Sequence, residues 1–190
     1  LDIEQAAGLG YRIKLLAVIK NQGGEIEVRV HPTLIPVGHM LASVGGVFNA
    51  IMVEGDIAGQ TVYYGRGAGR QPTASAVIGD LVDVARNLIC QSVGRVPPIA
   101  RHEQAGRFRE IGAIEARYYL RVSVLDRPGV LGQIASLLGK HGISIASVLQ
   151  KEVHAGRHVP VVIVTHRARE QDFQAALAEI DAMPAVGART

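Results

Sequence analysis

Two glycine-containing turns are the parts of this chain whose residue types could hold a ligand. The first is Gly65-Arg66-Gly67-Ala68-Gly69, between an apolar segment and a long helical pattern. Bare backbone admits close approach of a ligand, and the amino end of the following helix favours an anionic group. The same glycines suit a tight turn with positive φ equally well, and the pattern alone leaves both readings open. The loop is not a dinucleotide fingerprint. It lacks the third glycine at the required place, and no ribose-binding acid follows about 20 residues on. The second turn, Asp126-Arg127-Pro128-Gly129-Val130-Leu131, opens a helix. Its free first-turn amides could hold an amino-acid carboxylate, with Gly129 leaving room. Local chemistry by itself favours an ordinary helix cap there. His154 and His158 stand four apart but flank Ala155-Gly156-Arg157 in a turn, with no thiol or acid pair in support, so no metal site is expected. His31-Pro32 sits at a strand end and reads as structural. Cys90 ends an apolar helical stretch (Val84, Ala85, Leu88, Ile89) and is expected to be packed rather than reactive. No serine–histidine–acid set, paired general acid and base, or phosphate loop stands out.

The elements that position these turns follow from periodicity. Asp2 to Leu9 reads as a short helix and Arg12 to Lys20 as a strand, with a turn at Asn21-Gln22-Gly23-Gly24. Glu25 to Pro36 alternates at Ile26, Val28 and Val30, which predicts a half-buried strand. Met40 to Val44 suits one helical turn, and Val47 to Glu54 and Thr61 to Tyr64 suit strands. A helix is expected from about Pro72 to Ile89, with Ala74, Val77, Ile78, Leu81, Ala85, Leu88 and Ile89 facing inward. Periodicity fades from Gln91 to about Ala116, where Val96-Pro97-Pro98 breaks regular structure. Beyond it, Tyr119 to Leu125 alternates as a strand. A helix follows with Val130, Leu131, Ile134, Ala135 and Leu138 inward, closed by His141-Gly142. Strands are expected at Ile143 to Glu152 and Val159 to Thr165 around a turn at His154 to Arg157. Arg169 to Asp181 is an amphipathic helix carrying Phe173, Ala176, Leu177 and Ile180 inward. The order β-α-β-β-α needs one more strand to complete a ferredoxin-like unit. The tail from Ala182 to Thr190 is short and rich in Gly and Pro, so a truncated last strand is expected.

Composition narrows the class. Of the 190 residues, 48% are apolar and 19% charged, which suits a globular chain. No apolar run approaches the roughly 18 residues of a membrane span, so no membrane partner is expected. The start, Leu1-Asp2-Ile3-Glu4, has no signal pattern and no Met, as expected of a piece cut from something longer. A lone cysteine forms no internal disulfide, and a cytoplasmic setting is expected. Net charge is +3. Arg95, Arg101, Arg107, Arg109 and Arg117 lie in the connecting segment; with aromatics at 4% and no Trp, they read as a solvated linker and not as a nucleic-acid surface.

Four stretches together resemble bacterial homoserine dehydrogenases: LGYRIKLLAV (residues 9–18), VHPTLIP (30–36), LASVGGVFNAIMVEGD (41–56) and YYGRGAGRQPTASAVIGDL (63–81). The stretch from Tyr118, YYLRVSVLDRPGVLGQIASLLGKHGISIASVLQ, resembles the ACT domain that many of these enzymes append. The resemblance implies an α+β chain. A mixed-sheet substrate/dimerisation domain fragment at 1–90 and a linker at 91–116 precede a ferredoxin-like βαββαβ ACT domain at 117–190. It implies a parent enzyme that interconverts aspartate semialdehyde and homoserine with NAD(P), on the route to threonine and methionine. That family's catalytic lysine and acid lie in a D-A-x-x-K context. Neither Lys14 nor Lys20 has it, so no catalytic residue is assigned in this chain, which is expected to be inactive alone and to hold no cofactor tightly. The glycine loop carries over as the part near the nicotinamide end, with Gly69 first and Gly67 and Ala68 beside it. The ACT resemblance implies an amino-acid effector, expected to be threonine, held between the turn (Asp126, Pro128, Gly129, Val130, Leu131) and a neighbouring protomer's Ile143, Ser144 and Ile145. A homo-oligomer, at least dimeric through strand edges, is expected. The competing reading is a stand-alone amino-acid sensor without enzymatic activity.

Overall fold

The computed structural model describes residues 1–92, 106–150, 158–188 and 190. The turn expected at His154 to Arg157, and the Val96-Pro97-Pro98 break, lie outside the described residues. The chain divides into two compact units, one of residues 1–14 and 33–105, the other of 15–32 and 106–190.

In the first unit, helix α1 (Asp2–Gly8) buries Gln5 and Ala6. A 3-10 turn at Met40–Ser43 is capped by the His39 ring, which accepts from the Leu41 amide. Strands β3 (Phe48–Gly55) and β4 (Gly59–Arg66) form an antiparallel hairpin in register from Phe48 opposite Arg66 to Gly55 opposite Gly59. Phe48 stacks on Tyr64 at 4.9 Å between ring centroids, with the Arg66 guanidinium over the Phe48 ring. Helix α2 (Arg70–Ile89) follows, and its expected apolar stripe is present but uncovered. None of its residues is buried, and Leu81 and Ile89 are 64% and 82% exposed. Periodicity identifies which face of a helix is apolar; it cannot supply the surface that covers it. Cys90, just past the helix, is exposed and not packed, for the same reason.

Strands β1 (Tyr11–Gln22) and β2 (Glu25–Pro36) are neighbours in a sheet and are joined by Gly23 and Gly24, both at positive φ. Two such residues suit the tight turn that matches strand twist. Burial along β2 reverses the expectation. Val28 and Val30 are exposed, whereas Glu27 is 5% exposed. The polar face is the covered one because charged neighbours gather on it: Arg29 Nε lies 3.0 Å and Lys20 Nζ 3.7 Å from Glu27 Oε1. Strand β5 (Arg107–Phe108) pairs in parallel with the start of β2. Arg109 donates to Glu25 Oε2 at 3.0 Å, and Arg117 donates to the Thr165 carbonyl at 3.1 Å. These two arginines, expected in a solvated linker, are therefore tied into the second unit.

The rest of the second unit has a full ferredoxin-like order. Strand β6 (Glu115–Leu125), helix α3 (Val130–Lys140), β7 (Ile145–Gln150), β8 (His158–Arg169), helix α4 (Glu170–Asp181) and β9 (Val186–Ala188) build a sheet ordered β7-β8-β6-β9. The last strand, expected to be truncated, is short but present, and pairs antiparallel with β6. A Gly/Pro-rich tail can still pair because only three residues must be extended. Leu120, Val122 and Val124 of β6 and Val159, Val161 and Ile163 of β8 meet Val130, Ile134 and Leu138 of α3 and Phe173, Ala176 and Ile180 of α4. Leu131, expected inward, is exposed. Where β6 bulges between Arg117 and Tyr119, Tyr118 stacks on Phe173 at 3.9 Å and donates to Glu170 at 2.8 Å. Burial first, and then the Glu170 carboxylate, push the Tyr118 phenol well above its ordinary range. Thr165, fully buried, accepts from the Tyr118 amide, so its hydroxyl is satisfied.

Ile134 is fully buried at the centre of this core. Ile134→Ala is expected to lower the opening free energy of β6 and β8 by about 2–5 kcal/mol. Hydrogen exchange of those strands' amides would check it; loss of less than about 1 kcal/mol would mean that the core is not where the sheet is held.

Candidate functional site

The glycine loop is shorter than its sequence motif. Strand β4 runs through Gly65 and Arg66, which leaves Gly67, Ala68 and Gly69 as the connection to α2. Two of the three have local structural demands. A Cβ on Gly67 would overlap the side-chain amide of Asn49. The Gly67 amide also donates to the Val47 carbonyl at 3.0 Å. Gly69 is the N-cap of α2 at φ 121°, a conformation that side chains disfavour. All three residues are exposed. The first-turn amides of the 20-residue helix point from this loop, with no capping side chain on Gly69. Such a helix start can face a polar or anionic group. By itself the loop encloses nothing.

The second turn has the same logic. Gly129 caps α3 in the left-handed region, at φ 89° and ψ −18°, with open space where a Cβ would stand. The Val130 amide reaches the Arg127 carbonyl at 3.4 Å, while the amides just after it have no intrahelical partner, as in any first turn. Asp126 accepts from Gln150 Nε2 at 3.4 Å, which ties the turn to the far end of β7. The other expected effector residues lie elsewhere. Ile143 is buried and donates its amide to the Leu138 carbonyl at the carboxy end of α3; Ser144 accepts from the His166 amide; strand β7 begins only at Ile145. Helical residues 132–140 separate the two groups, a rise of about 14 Å. One chain therefore does not bring the turn and Ile143–Ile145 together. Among the described residues strand β7 is an edge of its sheet, with one side unpaired.

Near that carboxy end, Glu179 of α4 accepts from Lys140 at 2.8 Å and meets His141 Nε2 at 2.9 Å. Hydrogen bonds from Lys140 and then His141 hold its carboxyl below the usual carboxylate range. His154 lies outside the described residues, and His158 packs at Gly187. Among the described residues no three His, Cys, Asp or Glu groups gather as a metal site, and no helix is long and apolar enough to cross a membrane.

Sequence reading missed one feature, a polar cavity of about 440 Å³ in the second unit, lined by Lys20, Glu27, Arg109, Ala113, Glu115, Arg167 and Arg169. Its residues come from β1, β2, β6, β8 and the segment after β5, so no local motif could signal it.

Comparison with known proteins agrees across both units. Residues 1–82 match the family model described as homoserine dehydrogenase, and residues 118–185 match that of the ACT domain. A homoserine dehydrogenase of Pseudomonas aeruginosa is 46% identical over 189 residues, covering 97% of this chain and 44% of the relative. One from Neisseria gonorrhoeae is 46% identical over 188 residues, covering 97% and 43%. The crystal structure of a homoserine dehydrogenase from Thiobacillus denitrificans superposes with a TM-score of 0.86 at 42% identity, over 99% of this chain and 43% of that one. The chain thus spans less than half the length of the relatives it matches.

Gly67→Ala is expected to displace Asn49 and loosen the β3–β4 hairpin by about 1–3 kcal/mol. Amide exchange in β3 would read this, with most of the loss recovered in an Asn49→Ala background. Equal losses in both backgrounds would show that the glycine answers to something other than Asn49.

Proposed function

Since the chain belongs to the homoserine dehydrogenase family over residues 1–82 and carries an ACT domain over residues 118–185, we propose that it is the carboxy-terminal part of an NAD(P)-dependent enzyme that interconverts aspartate semialdehyde and homoserine. The observation that carries this reading is collinearity: one continuous alignment at 46% identity runs through both segments. In this reading residues 1–90 are part of the substrate and dimerisation domain, 91–116 a linker and 117–190 the regulatory domain. Gly67, Ala68 and Gly69 approach the nicotinamide end of the cofactor. The acid–base chemistry comes from residues outside this chain, which is inactive alone.

The regulatory half senses an amino acid, with threonine as the effector. Asp126, Pro128, Gly129, Val130 and Leu131 supply one side of the site through the open first turn of α3. Ile143, Ser144 and Ile145 of a second copy supply the other, since a single chain holds them at opposite ends of the helix. The unpaired edge of β7 supports this pairing, because an open strand edge readily adds another strand. The uncovered apolar faces of α2 and of the β3–β4 hairpin support further contacts, with a second copy or with the rest of a longer polypeptide. A stand-alone sensor reading has less support, because residues 1–82 match a dehydrogenase domain.

Calorimetric titration with threonine, with serine and homoserine as controls, tests the regulatory site. Saturable threonine binding is expected, and Gly129→Leu should abolish it, since a side chain there is strained at positive φ and fills the open space over the turn. Unchanged affinity in Gly129→Leu would remove the turn from the site. Sedimentation equilibrium is expected to show a dimer or larger assembly; a monodisperse monomer would overturn the shared site.

A further inference from the structure

We propose that the β1–β2 hairpin is the element by which the state of the second unit is carried to the glycine loop of the first, through Lys14 and the carbonyl of Val44. Both strands belong to both units. Residues 11–14 and 33–36 lie in the first, and residues 15–22 and 25–32 in the second. Neither strand is interrupted at the boundary, and the two are hydrogen-bonded neighbours. One covered face continues along them. Even residues of β1 from Lys14 to Lys20 and odd residues of β2 from Glu27 to Ile35 are buried or half-buried, whereas Leu15, Ala17, Ile19, Val28 and Val30 are exposed. Such a ladder moves as one piece, because a slip of one residue would turn its covered face outward.

The far half of the hairpin is held in the second unit at several points. Strand β5 pairs with Glu25 and Ile26. The Arg109 amide donates to the Ile26 carbonyl at 2.9 Å, and its guanidinium to Glu25 at 3.0 Å. Gly106 leaves room for Ile26, whose Cδ1 would stand 2.8 Å from a Cβ there. Lys20 and Glu27 line one cavity with Glu115, Arg167 and Arg169, from the ends of β6 and β8. These are the strands on which α3 and α4 pack, so a shift of that core reaches the hairpin. Within the first unit, Lys14 Nζ donates to the Val44 carbonyl. Further along the same segment, the Val47 carbonyl accepts from the Gly67 amide at 3.0 Å. The hairpin is thus tied by hydrogen bonds to the chain that holds the loop, a contiguous physical route. Its regulatory meaning rests on the proposed function, in which that loop approaches a cofactor and the second unit senses an amino acid; the coupling itself does not.

The test is amide exchange in the 190-residue chain, read at Gly67 and in β6 and β8. Ile134→Ala perturbs the second unit, and Ile134→Val replaces it if Ile134→Ala does not fold. A protease site placed within residues 93–105 allows the chain to be cut there. Exchange at Gly67 is expected to quicken about threefold or more when Ile134 is replaced. The quickening should survive the cut. In a Lys14→Met background it should fall below about twofold, while β6 and β8 respond to the Ile134 replacement as before. Unchanged exchange at Gly67, with β6 and β8 exchanging faster, overturns the proposal. So does loss of the effect on cutting, which assigns the coupling to the cut segment. Full persistence of the effect in Lys14→Met removes the Val44 tie and overturns it too. Pieces that separate after the cut also overturn it, because residues 15–32 then fail to hold to the second unit.

Discussion

The packing of α3 and α4 on one face of the β6–β8 pair is the constraint from which the rest of the second unit follows. Alternating Leu120, Val122 and Val124 fill the space under two helices, together with Val159, Val161 and Ile163. Burial of that face fixes the register, because a one-residue slip would turn each of these side chains to the other side. Once β6 and β8 are central, β7 and β9 must be edges. The chain entering α3 must then turn sharply after Leu125, which places Gly129 at positive φ and opens the first turn of the helix. The ends of β6 and β8 that carry Glu115, Arg167 and Arg169 meet β1, β2 and the segment after β5, and the cavity forms among them.

The first unit obeys the opposite condition. Its pattern is as clear as that of the second, but its apolar faces have no cover among the described residues. Helix α2 buries none of its residues, and Ile51 and Tyr63 of the adjoining hairpin stand well exposed. A two-stranded hairpin is marginal in water without a packed face. Large uncovered apolar surfaces of this kind are characteristic of interaction surfaces. This agrees with a chain that spans less than half of its relatives.

At both glycine turns a structural requirement falls on the residues proposed to contact a ligand. Gly67 makes room for Asn49, and Gly69 and Gly129 adopt conformations that a side chain resists. Each turn nevertheless leaves the first amides of a helix without intrahelical partners. The backbone geometry that demands glycine is the same geometry that aims unpaired N–H groups outward. A glycine motif therefore cannot separate the two roles, and only what gathers around the turn can.

The sequence alone determined the order of elements, the apolar faces and the two turns, because these depend on near neighbours in the chain. The periodicity of β6, α3 and α4 was legible since each buries one face against the others. Tertiary structure decided what lies against each face. It covered Glu27 and exposed Val28 and Val30, it left Leu131 and Cys90 at the surface, and it found a place for a last strand of three residues. Arg109 and Arg117 read as linker charges until Glu25 and the Thr165 carbonyl were placed beside them. Periodicity records which side of an element avoids water, whereas cover and charge pairing come from residues far away in the chain. The cavity has the same origin, with partners as distant as Lys20 and Arg169 meeting only once the sheets are formed.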